Sequence, residues 1–347
     1  MASNVSCRTK SVACERSGHT AVVSENVLFV WGGYVSVADH EVFLPNDEIW
    51  LYDLESGLWE KFNMGGEIPP SMSGSCGCIL NGHMYIFGGC GDTGQTNEHY
   101  SVNLHDDKYC WKKIRHHSGL LPTPRDKLSC WVYKSSIIYF GGYGHKLLRA
   151  IDNPMTFIVD EASWVEDIYW GWNNEVHVFD SRAKSWNKPK TFGQAPAPRA
   201  AHASATIGNK GYVCGGRKME TRTSDIHCLD LDSWTWTEIV PTTAVPLGRS
   251  WHTLTAVLDT SLFLFGGLSV DSRPLSNFVV VDGGTVSKVV LGGICSNSQR
   301  VQVRQACIII YQLGVFGNGM ELKKSAPKHQ SCSLLLSVSS LLFAFTR

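Results

Sequence analysis

Short apolar runs, each closed by a diglycine, recur along the first three quarters of the chain. Val27-Leu28-Phe29-Val30-Trp31, Met84-Tyr85-Ile86-Phe87 and Leu262-Phe263-Leu264-Phe265 are aliphatic and aromatic stretches too short for helices, and they predict buried strands. The diglycines that end such runs are Gly32-Gly33, Gly88-Gly89, Gly141-Gly142, Gly215-Gly216 and Gly266-Gly267. Successive first glycines lie 56, 53, 74 and 51 residues apart, the scale of a repeat built as one small sheet. Between the runs come polar stretches, then segments rich in Tyr and Trp.

A second marker keeps step with the first. An arginine stands sixteen residues before three of the diglycines (Arg16, Arg125, Arg199) and seventeen before a fourth (Arg249). Three of these open Arg-x-x-His, with His19, His202 and His252. A fixed offset between a turn arginine and a diglycine is a register marker. Downstream, Trp50, Tyr52, Trp59, Tyr100, Trp111, Trp186, Trp234 and Trp236 supply the large side chains that fill wedges between neighbouring sheets.

With these markers the chain resembles the kelch family over roughly residues 12 to 276. The resemblance is carried by Glu15-Arg16-Ser17-Gly18-His19, Pro70-Ser71-Met72-Ser73-Gly74-Ser75-Cys76, the stretch from Arg125-Asp126-Lys127-Leu128 to Lys134, and Gly248-Arg249-Ser250-Trp251-His252. It implies an all-β propeller with five recognisable repeats of an expected six and an irregular last blade. The domains expected are a propeller over residues 1–276 and a divergent tail over 277–347. The long third interval holds an insertion of about 20 residues after Tyr143-Gly144. Its aromatics Trp164, Tyr169, Trp170 and Trp172 argue for an ordered segment.

After Ser276 the pattern stops. Gly283-Gly284 and Gly292-Gly293 lack a preceding aromatic strand, no Trp follows Trp251, and the tail has seven basic and two acidic residues. The terminal apolar run Leu334–Phe345 is 12 residues, about 18 Å as a helix and short of the roughly 30 Å of a bilayer core.

Composition narrows the function classes. The chain of 347 residues balances 31 basic against 31 acidic residues, which gives no electrostatic footprint for nucleic acid or membrane. Its start lacks the apolar core of a secretory signal, so the 12 cysteines are expected as thiols in the cytoplasm or nucleus. No Cys-x-x-Cys, His-x-x-x-His, Glu-x-x-His or Gly-x-Ser-x-Gly occurs, so neither a metal, a cofactor nor catalysis is expected.

One pair of residues carries binding chemistry. Arg217 and Arg222 follow the fourth diglycine, and Ser250 and Trp251 begin the next repeat on a neighbouring surface. Two guanidinium forks and a hydroxyl suit a carboxylate. Arg222 could instead pair with Asp225. The kelch resemblance implies more: a substrate receptor of a cullin-RING ubiquitin ligase that captures free C-termini ending in glycine. It implies Arg217, Arg222 and Ser250 as the carboxylate holders, and Tyr34, Tyr143, Trp172 and Trp251 as walls, with Lys127 nearby. It also implies elongin B and C docked through a Leu-x-x-x-Cys box, for which the tail offers only Leu291 to Cys295, interrupted by two glycines unsuited to a helix. The competing reading is a kelch scaffold that binds a folded partner and is indifferent to free C-termini.

Overall fold

The computed structural model describes residues 12–289 apart from 39, 152, 241–244, 258–260, 276–277 and 283–284, and from 278 onward it describes the backbone alone. Five sheets follow one another, each built on four antiparallel strands and beginning at its innermost strand; the second and fourth add a two-residue parallel edge strand, Gly65–Gly66 and Phe192–Gly193. The first comprises Thr20–Ser24, Val27–Trp31, Glu48–Asp53 and Trp59–Asn63; the second Cys76–Leu80, His83–Phe87, His99–Asn103 and Cys110–Lys113. The third comprises Ser129–Tyr133, Ser136–Phe140, Val176–Asp180 and Ser185–Asn187; the fourth Ala203–Ile207, Lys210–Cys214, Ile226–Asp230 and Thr235–Ile239. The fifth is Thr253–Val257, Ser261–Phe265, Phe278–Asp282 and Thr285–Val289. The described residues contain no α-helix, only a 3-10 turn at Leu148–Ala150. The fold is the all-β kelch propeller expected.

The fifth sheet corrects the expected domain boundary. Phe278–Asp282 pairs with Ser261–Phe265 and in turn with Thr285–Val289, so a division at 276 would cut a sheet in two. The rest of the tail, including Leu291, Cys295 and the apolar run from Leu334, lies outside the described residues.

The arginine–diglycine offset has a direct cause. In four blades the arginine Nη1 donates to the carbonyl of the first glycine: Arg16 to Gly32 at 3.2 Å, Arg125 to Gly141 at 3.2 Å, Arg199 to Gly215 at 2.9 Å and Arg249 to Gly266 at 3.0 Å. The diglycine also joins successive blades. The second-glycine N–H groups of Gly89, Gly142 and Gly216 donate to the carbonyls of Arg125, Arg199 and Arg249 in the next blade. Only glycine fits there: Gly215 has φ +59°, and a Cβ would lie 2.7 Å from the Arg249 carbonyl oxygen and 2.8 Å from the His252 ring.

A second set of backbone bonds runs from blade to blade. The position two after each turn arginine, and its counterpart Gly74 in the second blade, is left-handed: Gly18, Gly74, Lys127, Ala201 and Trp251 have φ between 54° and 69°. The last four each donate their N–H to the carbonyl of the one before, Gly74 to Gly18, Lys127 to Gly74, Ala201 to Lys127 and Trp251 to Ala201, at 2.8–2.9 Å. These bonds form a circlet at the diglycine end of the propeller and fix the heights of the blades against one another.

Apolar wedges fill the junctions. Trp111 packs edge-on against Trp31 of the preceding blade, Trp186 against Phe87, and Trp236 against Trp131 and Phe140. The face of the first blade turned away from the second forms its own cluster of Ala13, Leu28, Val30, Trp50 and Tyr52, all buried.

The insertion is ordered. Tyr143–Leu147, Ile168–Asn173 and Phe157–Val165 build a separate sheet edged by Arg125–Asp126. Its root is an ionic cluster: Glu175 accepts from Arg125 at 2.9 Å, Lys146 at 2.7 Å and Lys188 at 2.9 Å. Burial opposes its ionisation, yet the His177 ring 3.6 Å away and the charges of Arg125 and Lys146 hold its carboxyl well below the usual range.

Candidate functional site

The strand Lys210–Cys214 ends at the fourth diglycine, and the chain then turns through a two-strand ribbon, Arg217–Lys218 against Thr221–Arg222. Antiparallel pairing sets Arg217 opposite Arg222, so the two cations share one ribbon. Arg222 Nε donates to Ser250 Oγ at 2.8 Å, and its Nη1 donates to the Val270 carbonyl at 3.2 Å. Arg222 is 9% exposed and Ser250 0%. Ser250 thus holds the guanidinium from below, out of reach of solvent.

Arg222 differs from Arg125 and Arg199 in its counter-charge. Arg125 pairs with Glu175 and Arg199 pairs with Asp225, whereas Arg222 forms an ion pair with none of the described carboxylates. Asp225, the alternative partner, is occupied: it takes Arg199 at 2.6 Å and His227 at 2.8 Å. Burial and the neighbouring charge of Arg217 push the Arg222 pKa down, the signature of a cation short of an anion. Arg217 has partial compensation, donating to the Met219 carbonyl and to the exposed Glu220.

The rest of the predicted site is contiguous. Trp251 follows Ser250 and is 42% exposed. Lys127 Nζ lies 5.9 Å from the Trp251 ring centroid and 5.7 Å from that of Tyr143, within reach of cation–π attraction to both. Tyr143 meets Trp172 edge-on at 5.2 Å. The Tyr143 hydroxyl donates to Asp160 at 2.8 Å; burial and this carboxylate push its pKa up to about 12, so it stays a donor at neutral pH. Trp172 is 7% exposed and backs Tyr143 more than it faces a ligand. Tyr34 follows the first diglycine, paired with Phe43 and bridged to Ser17. It shares the diglycine end with the other site residues.

Sequence reasoning overlooked Asp126, which is 2% exposed and pairs with Lys127 at 2.8 Å. Burial pushes its carboxyl up against the pull of Lys127, and one of its oxygens has no hydrogen-bond partner. Trp170, which donates to Gln95 at 3.0 Å, ties the inserted sheet to the second blade. Asp126 stands beside Lys127 in a motif already singled out, so adjacency was the available signal. Gln95 had none. The described residues hold no cluster of His, Cys, Asp or Glu suited to a metal ion.

The family profile described as the KLHDC2/KLHL20/DRC7 Kelch-repeats domain matches residues 18–267. Kelch domain-containing protein 1 of Mus musculus is 55% identical over 270 residues, 77% of this chain and 66% of that protein. The Homo sapiens protein of the same name is 56% identical over the same shares. Kelch domain-containing protein 2 of Homo sapiens is 44% identical over 284 residues, 78% of this chain and 68% of that protein. The match thus spans about two thirds of the relatives' length.

Proposed function

This chain belongs to the kelch-repeat family of the KLHDC2/KLHL20/DRC7 type, and on that premise we propose that it is a substrate-recognition subunit of a cullin-RING ubiquitin ligase. Kelch domains serve in general to bind partner proteins. In the proposed role the ligand is the C-terminal segment of a target protein, ending in glycine with its carboxylate free.

One observation carries the reading: Arg222 is a nearly buried cation, held in place by Ser250, with no described carboxylate paired to it. A charge in that position costs desolvation energy that a bound anion would offset. A peptide carboxylate supplies two oxygens for the guanidinium fork. Arg217, opposite on the ribbon, adds long-range attraction. Trp251, Lys127 and Tyr143 extend away from the cation and offer aromatic and cationic surface for the residues upstream of the terminus. A terminal glycine fits because it brings the carboxylate to the ribbon without a side chain to place between the arginines and Trp251.

The experiment is a titration of the full chain with matched peptides ending in glycine, one as the free acid and one amidated. The acid is expected to bind and the amide to lose at least tenfold in affinity, roughly 1.4 kcal/mol. Equal affinities would abandon the C-terminus reading in favour of a scaffold surface. Assembly with elongin B and C and a cullin belongs to the proposal in its wider form. It is tested separately by co-expression and size exclusion, because Leu291 and Cys295 lie outside the described residues.

A further inference from the structure

Three cysteines that play no part in this site meet where the second blade abuts the third. Cys76 and Cys78 stand two apart on the innermost strand Cys76–Leu80, so both side chains leave the same face of it. Cys130 stands on Ser129–Tyr133, the innermost strand of the third blade, and its Sγ lies 3.9 Å from the carbonyl of Gly77, the residue between the other two. All three pack in one cluster with Leu80, Phe87 and Tyr139. All three are free thiols, Cys76 buried and Cys78 and Cys130 half-buried.

We propose that Cys130, with Cys76 and Cys78, is an oxidisable thiol site at which a hydroperoxide forms a disulfide bridging the second and third blades. The geometry supplies both partners that the chemistry needs, an attacking sulfur and a resolving thiol beside it. The Sγ of Cys130 donates to the Gly77 carbonyl, and the neighbouring thiols of Cys76 and Cys78 pull its pKa down against the effect of burial. Cys76 and Cys78 are pushed up by the same contact and by burial. Of the three thiols, Cys130 is therefore the readiest to give up its proton to become the attacking sulfur.

The reaction balances in two steps. The Cys130 thiolate attacks the terminal oxygen of the hydroperoxide, the O–O bond breaks, and the alcohol (water, for hydrogen peroxide) departs after taking a proton, leaving a sulfenic acid. The sulfur of Cys76 or Cys78 then attacks the Cys130 sulfur, the S–O bond breaks, and water leaves with the resolving thiol's proton. Two thiols lose two electrons, which the peroxide gains. The bridge would span the junction already crossed by the Lys127 N–H to Gly74 carbonyl bond, three residues from Lys127.

The test uses the full chain, fully reduced, exposed to hydrogen peroxide and then alkylated with isotope-coded reagents before digestion and mass spectrometry. Cys14, which is exposed, and Cys110, which is half-buried, serve as comparators in the same sample. Cys130 is expected to be lost about tenfold faster than either comparator, as a lowered pKa favours. Its product is expected to be a reducible link to the peptide carrying Cys76 and Cys78. Separate Cys76→Ser and Cys78→Ser chains identify the resolving thiol, and Cys130→Ser is expected to leave both flanking thiols reduced. Oxidation of Cys130 no faster than the comparators, over-oxidation without a link, or links only between separate chains would each overturn the proposal. The rate comparison in the unaltered chain stands even if a variant folds poorly.

Discussion

Replacing Arg222 by Gln removes a charge while keeping a donor of similar reach, and the structure sets what should follow. Arg222 makes two internal hydrogen bonds, to Ser250 Oγ and the Val270 carbonyl, and forms no ion pair with a described carboxylate. The cost to the free protein is then small, because a nearly buried charge without a close counter-ion is removed along with the bonds. The cost to binding is large: truncating one partner of a desolvated charge pair takes about 2–5 kcal/mol, a loss of roughly 30-fold to several thousand-fold. The informative measurement is a cycle in which parent and Arg222→Gln chains are each titrated with acid and amide peptides. If Arg222 meets the carboxylate, the variant loses affinity for the acid and little for the amide, and the two ligands converge. Ser250→Ala should give the same pattern in weaker form, about 0.5–1.5 kcal/mol, because its hydroxyl positions the guanidinium by one hydrogen bond. Equal loss for both peptides would refute the reasoning and mark Arg222 as a structural residue.

Two further predictions concern stability. Burial pushes the pKa values of His99, His202 and His252 down to about 3 and that of His177 to about 4. These rings fold neutral and charge only when unfolded, so their contribution is complete above pH 6.5 and is lost as pH falls toward 3. At pH 5 the loss is about 2 kcal/mol for each ring, with Asp126, whose carboxyl is pushed up, acting in the opposite sense. Urea midpoints are expected to drop steeply between pH 6.5 and 5, and a flat profile would contradict neutral burial. Gly215→Ala places a methyl against the Arg249 carbonyl and His252, whereas Gly208→Ala, at φ +58°, meets nothing within 4 Å. Both are expected to incur backbone strain of about 1 kcal/mol, and only Gly215→Ala an additional 1–3 kcal/mol or so of overpacking, read as the difference in Tm.

The repeat itself was plain in the sequence because its markers are side chains with fixed jobs. An arginine sixteen residues before a diglycine is a hydrogen bond written in sequence spacing, as Arg125 to Gly141 and Arg199 to Gly215 demonstrate. The second blade escaped that marker: Met72 stands where the arginine would, yet its carbonyl still accepts from Gly33, since a backbone bond does not depend on the side chain. The end of the fifth blade was harder to see. The two strands Phe278–Asp282 and Thr285–Val289 pair with Asp282 opposite Thr285, and neither carries the aromatic run that marked the earlier blades. The candidate site was legible in its ions and less so in its depth. Spacing placed Arg217 near Arg222, but Ser250 is buried against Arg222 and pairs with Leu268, and Trp172 packs on Tyr143, contacts between segments that no local pattern encodes.

The circlet explains how a pseudo-symmetric ring comes to carry an asymmetric site. Five equivalent left-handed positions, Gly18, Gly74, Lys127, Ala201 and Trp251, are held by the same bond from one blade to the next. Backbone alone makes that bond, so each position is free to carry any side chain able to bear the left-handed strain of roughly 1 kcal/mol. Two blades spend the position on glycine and one on a methyl group. The third and fifth place Lys127 and the Trp251 ring there, and these two meet across the fourth blade, whose Ala201 leaves the space between them open. Chemistry thus gathers on the arc from the third to the fifth blade, the arc that also holds the Arg217–Arg222 ribbon and Ser250. A constant backbone frame with variable side chains at its crown lets recognition change while the wedges and the arginine–diglycine bonds beneath it stay as they are.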